Sequence, residues 1–219
     1  MPLAAVVAGA SLSGMLLRRY LDSRKPDLLA WSASLLLLAT AAACALAGSL
    51  DAWPELTAKT YYLCAAVLFT ALASLGTVYY NTPRIIGHVW LAVLTLASAI
   101  TAVLLAGAAY DEGKLEEATG PGWLAVEAGE TLTGIVVAIS SIGTVILVAA
   151  AVYGLVYRRA GLAQTLLALG VLLVAVAGGL ARLDAWELAS MAQLPGMLSI
   201  YTGAIRADRF PGGRFPGRQ

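Results

Sequence analysis

Seven long apolar stretches divide this chain, at about residues 2–20, 27–49, 56–80, 85–109, 131–157, 161–182 and 186–205. Each approaches the roughly 20 apolar residues that a helix needs to cross a bilayer. The runs are continuous rather than alternating, which argues against the strands of a membrane barrel. With 60% hydrophobic and only 12% charged residues, a water-soluble fold of this length could not hide its apolar surface. The sequence therefore predicts an all-α fold, a polytopic integral membrane protein forming a seven-transmembrane-helix bundle. One membrane domain covers 1–205 and a basic tail covers 206–219.

The basic residues give the bundle a direction. Arg18, Arg19, Arg24 and Lys25 lie in the first connection, Arg84 in the third, Arg158 and Arg159 in the fifth, and Arg206, Arg209, Arg214 and Arg218 in the tail. The opposite side holds only Lys59, Lys114 and Arg182. Positive charge is retained on the cytoplasmic side. The N-terminus is thus expected outside and the C-terminus in the cytoplasm, which requires an odd number of spans. A prokaryotic cell membrane is the expected location. The first stretch lacks a basic region before its apolar core, so it reads as a retained span rather than a secretory signal. Trp31, Trp53, Trp90, Trp123 and Trp186, with Tyr79, Tyr80 and Tyr157, fall near the predicted span ends, where amphipathic rings anchor at headgroups.

The longest connection runs from Tyr110 to Glu130 and is broken by Gly120-Pro121-Gly122. With Asp51, Glu55, Asp184 and Glu187, its acids give the outer side ten carboxylates against three bases. An ordinary solvated face accounts for that excess, though such a face also attracts cations. The tail repeats Arg-Phe-Pro-Gly at 209–212 and 214–217. Gly and Pro oppose a helix there, and the arginines suit an anionic lipid surface.

Two outer turns resemble each other. Leu50-Asp51-Ala52-Trp53-Pro54-Glu55-Leu56 aligns with Leu183-Asp184-Ala185-Trp186-Glu187-Leu188 on removal of one proline, and Arg18-Arg19 is matched by Arg158-Arg159. A duplication would relate spans 1–3 to spans 5–7 as a 3+1+3 internal repeat, with span 4 restoring parallel orientation. Interfacial tryptophan and helix capping explain the same residues without a duplication. The 3+1+3 layout is similar to that of the SWEET sugar transporters and the PnuC vitamin transporters, in span count and orientation only. The motif residues of those families are absent.

Little in the chain carries chemistry. His88 is the one histidine, too few for a haem or a His-rich metal site. Cys44 and Cys64 read as small core residues rather than a disulfide. Span 7 has no lysine to form a retinal Schiff base, and no hydrolase or zinc-protease pattern occurs. The expectation is a non-enzymatic protein with no catalytic residue, no metal ligand, no cofactor and no nucleic-acid partner. Membrane lipids, a homo-oligomer or a membrane-complex subunit are the expected partners.

Intramembrane polar residues are what remain. Thr70, Ser74, Thr77 and Asn81 form one face of span 3, and Thr133, Ser140, Ser141 and Thr144 mark span 5. Glu187, Ser190 and Gln193 descend span 7 towards Pro195-Gly196, where a kink would free a carbonyl. Small polar residues also serve ordinary helix packing. The candidate solute path is Gln193, Ser190 and Glu187, faced by Thr70 and Ser74 or by Ser140 and Thr144. The leading functional expectation is a small-solute permease with a site near mid-bilayer on span 7. An accessory or structural subunit of a larger membrane complex is the alternative, and a seven-helix sensor or receptor the third.

Overall fold

The computed structural model describes residues 2–50, 53–111, 126–127, 129–157, 161–182 and 186–209. They form seven helices: α1 Pro2–Ser23, α2 Pro26–Leu50, α3 Glu55–Asn81, α4 Arg84–Ala106, α5 Glu130–Tyr157, α6 Gly161–Arg182 and α7 Trp186–Arg209. Tyr110 and Val126 meet in an isolated antiparallel bridge. Among the described residues α2, α3, α4 and α5 are long and apolar enough to cross a membrane, and α6 contains a shorter apolar run, Leu162–Ala177. Several such helices in one bundle suit a membrane-embedded protein.

Local sequence sets the boundaries. Pro26 opens α2, and Pro54 and Pro83 immediately precede α3 and α4. Proline's fixed φ suits a helix start, where its missing N–H costs nothing. Arg24 ends α1 at φ 53°, with its N–H on the Tyr20 carbonyl at 2.6 Å. That is a left-handed closure, made here without glycine. Thr82 is extended, as the residue before Pro83 must be, and stops α3. One difference from the sequence reading appears at the far end. The helix of α7 continues to Arg209, because the first tail proline is Pro211, so Arg206 and Arg209 occupy its last turn.

Six helices form a ring. α1 packs on α2, α2 on α3, α3 on α5, α5 on α6, α6 on α7, and α7 returns to α1. α2 also touches α7 across the ring, and α3 touches α6. α4 lies outside, against α3 and α5. Ile85, Val89, Leu96 and Val103 of α4 stay exposed, as the lipid-facing side of a peripheral span would.

Small residues bring the backbones together. A Cβ on Gly170 of α6 would stand 2.6 Å from the Gly196 carbonyl oxygen of α7, and one on Gly203 would stand 2.7 Å from the Ala163 carbonyl oxygen. Glycine is required at such approaches, as at many membrane helix contacts. Between α1 and α2, the Ser13 hydroxyl donates to the Ser32 carbonyl at 2.8 Å and the Ser32 hydroxyl donates to the Ser13 carbonyl at 2.9 Å. The shared core includes Leu16, Leu35, Phe69, Met197 and Ile200. Trp31 belongs to it too. It is fully buried against Gly76 and lies 5.9 Å from the Tyr80 ring, so it is core rather than a headgroup anchor.

Candidate functional site

The polar residues expected along a solute path lie on α3, α5 and α7. Thr70, Ser74 and Ser140 gather where α3 meets α5, and Thr144 lies one turn beyond Ser140 on α5. Gly143 of α5 lies against Thr70 and Ser74: a Cβ there would be 3.1 Å from Thr70 Cγ2. Ser74 is fully buried, donates to the Ala71 carbonyl at 2.8 Å and accepts from Trp90 Nε1 at 3.1 Å. Thr144 donates to the Ser140 carbonyl at 2.8 Å. Thr77 and Asn81 likewise donate to carbonyls four residues back, at 3.1 and 2.9 Å. Hydroxyls turned onto their own helix need no solute.

Ser140 differs. Its hydroxyl crosses to α3 and donates to the Ala66 carbonyl at 2.9 Å. Ala66 lies in a π-helical segment, Leu63–Leu68, inside the otherwise α-helical α3. The wider turn disturbs the regular ladder, and a hydroxyl from α5 takes one of its carbonyls. Segments of this kind recur at functional sites.

Gln193 lies on α7 and is half-buried. It shares a helix face with Met197, Ile200 and Ala204, all buried, so its phase is inward. The helix continues through Pro195. The side chains of Glu187 and Ser190 lie outside the described residues.

A second polar group lies at the Arg-rich end of the bundle, where α3 finishes and α2 and α6 begin. Gln164 of α6 is 2% exposed, and its Nε2 donates to Asn81 Oδ1. Its Oε1 is buried and accepts no hydrogen bond. Trp31 Nε1 is also buried without an acceptor. A buried acceptor left unpaired costs about 1–3 kcal/mol in proteins. Sequence reasoning missed Gln164. The available signal was an amide in the first turn of an otherwise apolar run, Gly161-Leu162-Ala163-Gln164-Thr165-Leu166-Leu167.

At the same end Asp208 of α7 joins Arg19 of α1, at 3.1 Å, and Lys25 of the following connection. Burial alone would raise the Asp208 carboxyl. The hydrogen bond and charge of Lys25, with those of Arg19, outweigh it and hold the group below its ordinary range. On α4, His88 Nδ1 lies 2.9 Å from the Tyr79 hydroxyl. Lys59 pairs with Glu55 at 2.6 Å and donates to the Ala108 carbonyl at 2.8 Å. Cys44 and Cys64 are free thiols. No group of three or more potential metal ligands occurs among the described residues. Comparison with protein-family models, curated proteins and solved structures finds no match for this chain.

Proposed function

We propose that the chain is a small-solute permease built from two like-oriented three-helix units, α1–α3 and α5–α7, joined by α4. The carrying observation is the pattern of helix neighbours. Exchange α1 with α5, α2 with α6 and α3 with α7. The α3–α5 contact then becomes α7–α1, and α2–α7 becomes α6–α3, and both members of each pair occur. Two related units meeting across an approximate twofold axis is a transporter arrangement, with solute handled between them. The Trp53–Trp186 alignment adds support. It places the π segment, beginning at Leu63, opposite Pro195, so each unit carries a helix irregularity at the same register. The basic side of the bundle is proposed as cytoplasmic, from the charge asymmetry.

Uptake by vesicles containing the purified full-length chain tests this reading. Swelling in glycerol, urea and D-ribose should exceed that of empty vesicles for at least one solute. Gln193→Leu should abolish that excess while the protein still elutes as a folded species. A cysteine at position 193 should react with a water-soluble thiol reagent. No excess uptake of any probe, with that cysteine unreactive, would remove the permease reading.

One observation favours a second reading, an accessory subunit. Among the described residues α4 packs against α3 and α5, and its outer face is aliphatic and exposed, as a surface meeting another membrane protein would be. Purification from native membranes in mild detergent separates the readings. A stoichiometric partner lost on Val89→Trp or Leu96→Trp substitution would favour the subunit.

A further inference from the structure

The contact of α3 with α6 is brief and lies where the two three-helix units meet. It is spanned by the Gln164–Asn81 hydrogen bond. The orientation of both amides follows from their partners. Asn81 Nδ2 donates to the Thr77 carbonyl, so Asn81 Oδ1 faces outward and can only accept. Gln164 must then present Nε2 to it, because a turned amide would set two oxygens against each other. Gln164 Oε1 is consequently left as an acceptor, buried and unfilled. About a turn and a half back along α3, the Trp31 N–H edge lies over Gly76, also unfilled. Buried polar atoms of a native protein ordinarily have partners, and each exception calls for a reason.

We propose that Gln164 and Asn81 form a contact site for a small uncharged solute, whose O–H or N–H group is received by Gln164 Oε1. This rests on the permease reading and names the solute chemistry for it. Charge is disfavoured by the surroundings. Ala163 and Leu167 flank Gln164 and are buried, and they share a core with Trp31 and with Tyr80, the residue before Asn81. Asp27, a turn before Trp31, is buried and already engaged. An amide carbonyl among apolar groups cannot replace the hydration of an ion, but it can replace one water on a hydroxyl or amide. Entry requires α3 and α6 to part, which the short contact permits. The Asn81–Gln164 bond then closes the seam when no solute is present.

Ala168 lies one turn from Gln164 on the same face of α6 and is buried. In a Cys44→Ser, Cys64→Ser background, Ala168→Cys of the full chain in vesicles reports opening of the seam. It should react with a water-soluble methanethiosulfonate reagent. Glycerol or urea should slow that reaction by about threefold or more at concentrations that fill two-thirds of the sites, and choline chloride of equal osmolarity should not. Adding Gln164→Met, which keeps the volume and removes the acceptor, should abolish the protection. Several results would overturn the site: no reaction while an exposed Arg84→Cys control reacts; reaction without protection, which would leave Gln164 holding a fixed water only; equal protection by choline chloride; or protection that survives Gln164→Met. Protection without net flux would retain the site and remove the permease. Flux without protection would do the reverse.

Discussion

Single atoms decide how closely the helices approach. Gly170 makes the point, because an added methyl would meet the Gly196 carbonyl oxygen and the Ile200 backbone nitrogen at 2.6 and 2.8 Å. Backbone cannot step aside as a side chain does. Gly170→Ala should therefore destabilise the protein by about 1–3 kcal/mol, the range for overpacking a filled contact. Gly14→Ala should be neutral or mildly stabilising, since nothing lies within 4 Å of its added methyl and alanine favours the helix. Thermal unfolding of both variants in the same detergent gives the comparison. These contacts were only partly legible in sequence. Glycine among apolar residues signals close packing, but the partner helix is set by three-dimensional phase. Trp31 shows the converse. Position near a span end predicted a headgroup anchor, whereas the ring turned inward because Gly76 left room for it.

Among the elements, α1 and α7 are held by the Arg19–Asp208–Lys25 cluster. The folded carboxyl of Asp208 titrates below its unfolded value. Its contribution is therefore complete above the ordinary carboxylate pKa of about 3.9 and is lost as pH falls through the lower, folded value. Asp208→Asn should cost up to about 1 kcal/mol near neutral pH, the scale of partly exposed pairs. The gap from wild type should close below about pH 4. Denaturant unfolding across pH tests this, and a gap independent of pH would assign the loss to packing. Sequence reading found the seven helices to within a few residues because apolar run length and proline placement are local signals. It extended the tail back to Arg206, where the helix in fact runs to Arg209. It also set either Thr70 and Ser74 or Ser140 and Thr144 opposite Gln193. Thr70, Ser74 and Ser140 come together at the α3–α5 contact, a grouping fixed by which helices adjoin and not by any local pattern. Gln164 was passed over because one amide in a long apolar run makes no periodic signal; its meaning comes from Asn81, on another helix.

At the scale of the molecule, the basic asymmetry makes an orientation test direct. A reporter fused after Gln219 should be cytoplasmic, and one inserted near Thr119, outside the described residues, should be external. Either reporter on the opposite face would contradict the seven-span arrangement. The closed ring has a further consequence, for the order in which the protein is made. α1 leaves the ribosome ahead of α7 by the whole length of the bundle, yet one flank of α1 packs against α7. Met197 reaches Gly9 there, and Asp208 reaches Arg19. That flank must stay uncovered, or against a provisional partner, until every helix between has been made. The α1–α7 contact is of high sequence separation and completes last, so interrupted synthesis leaves an open arc rather than a smaller ring.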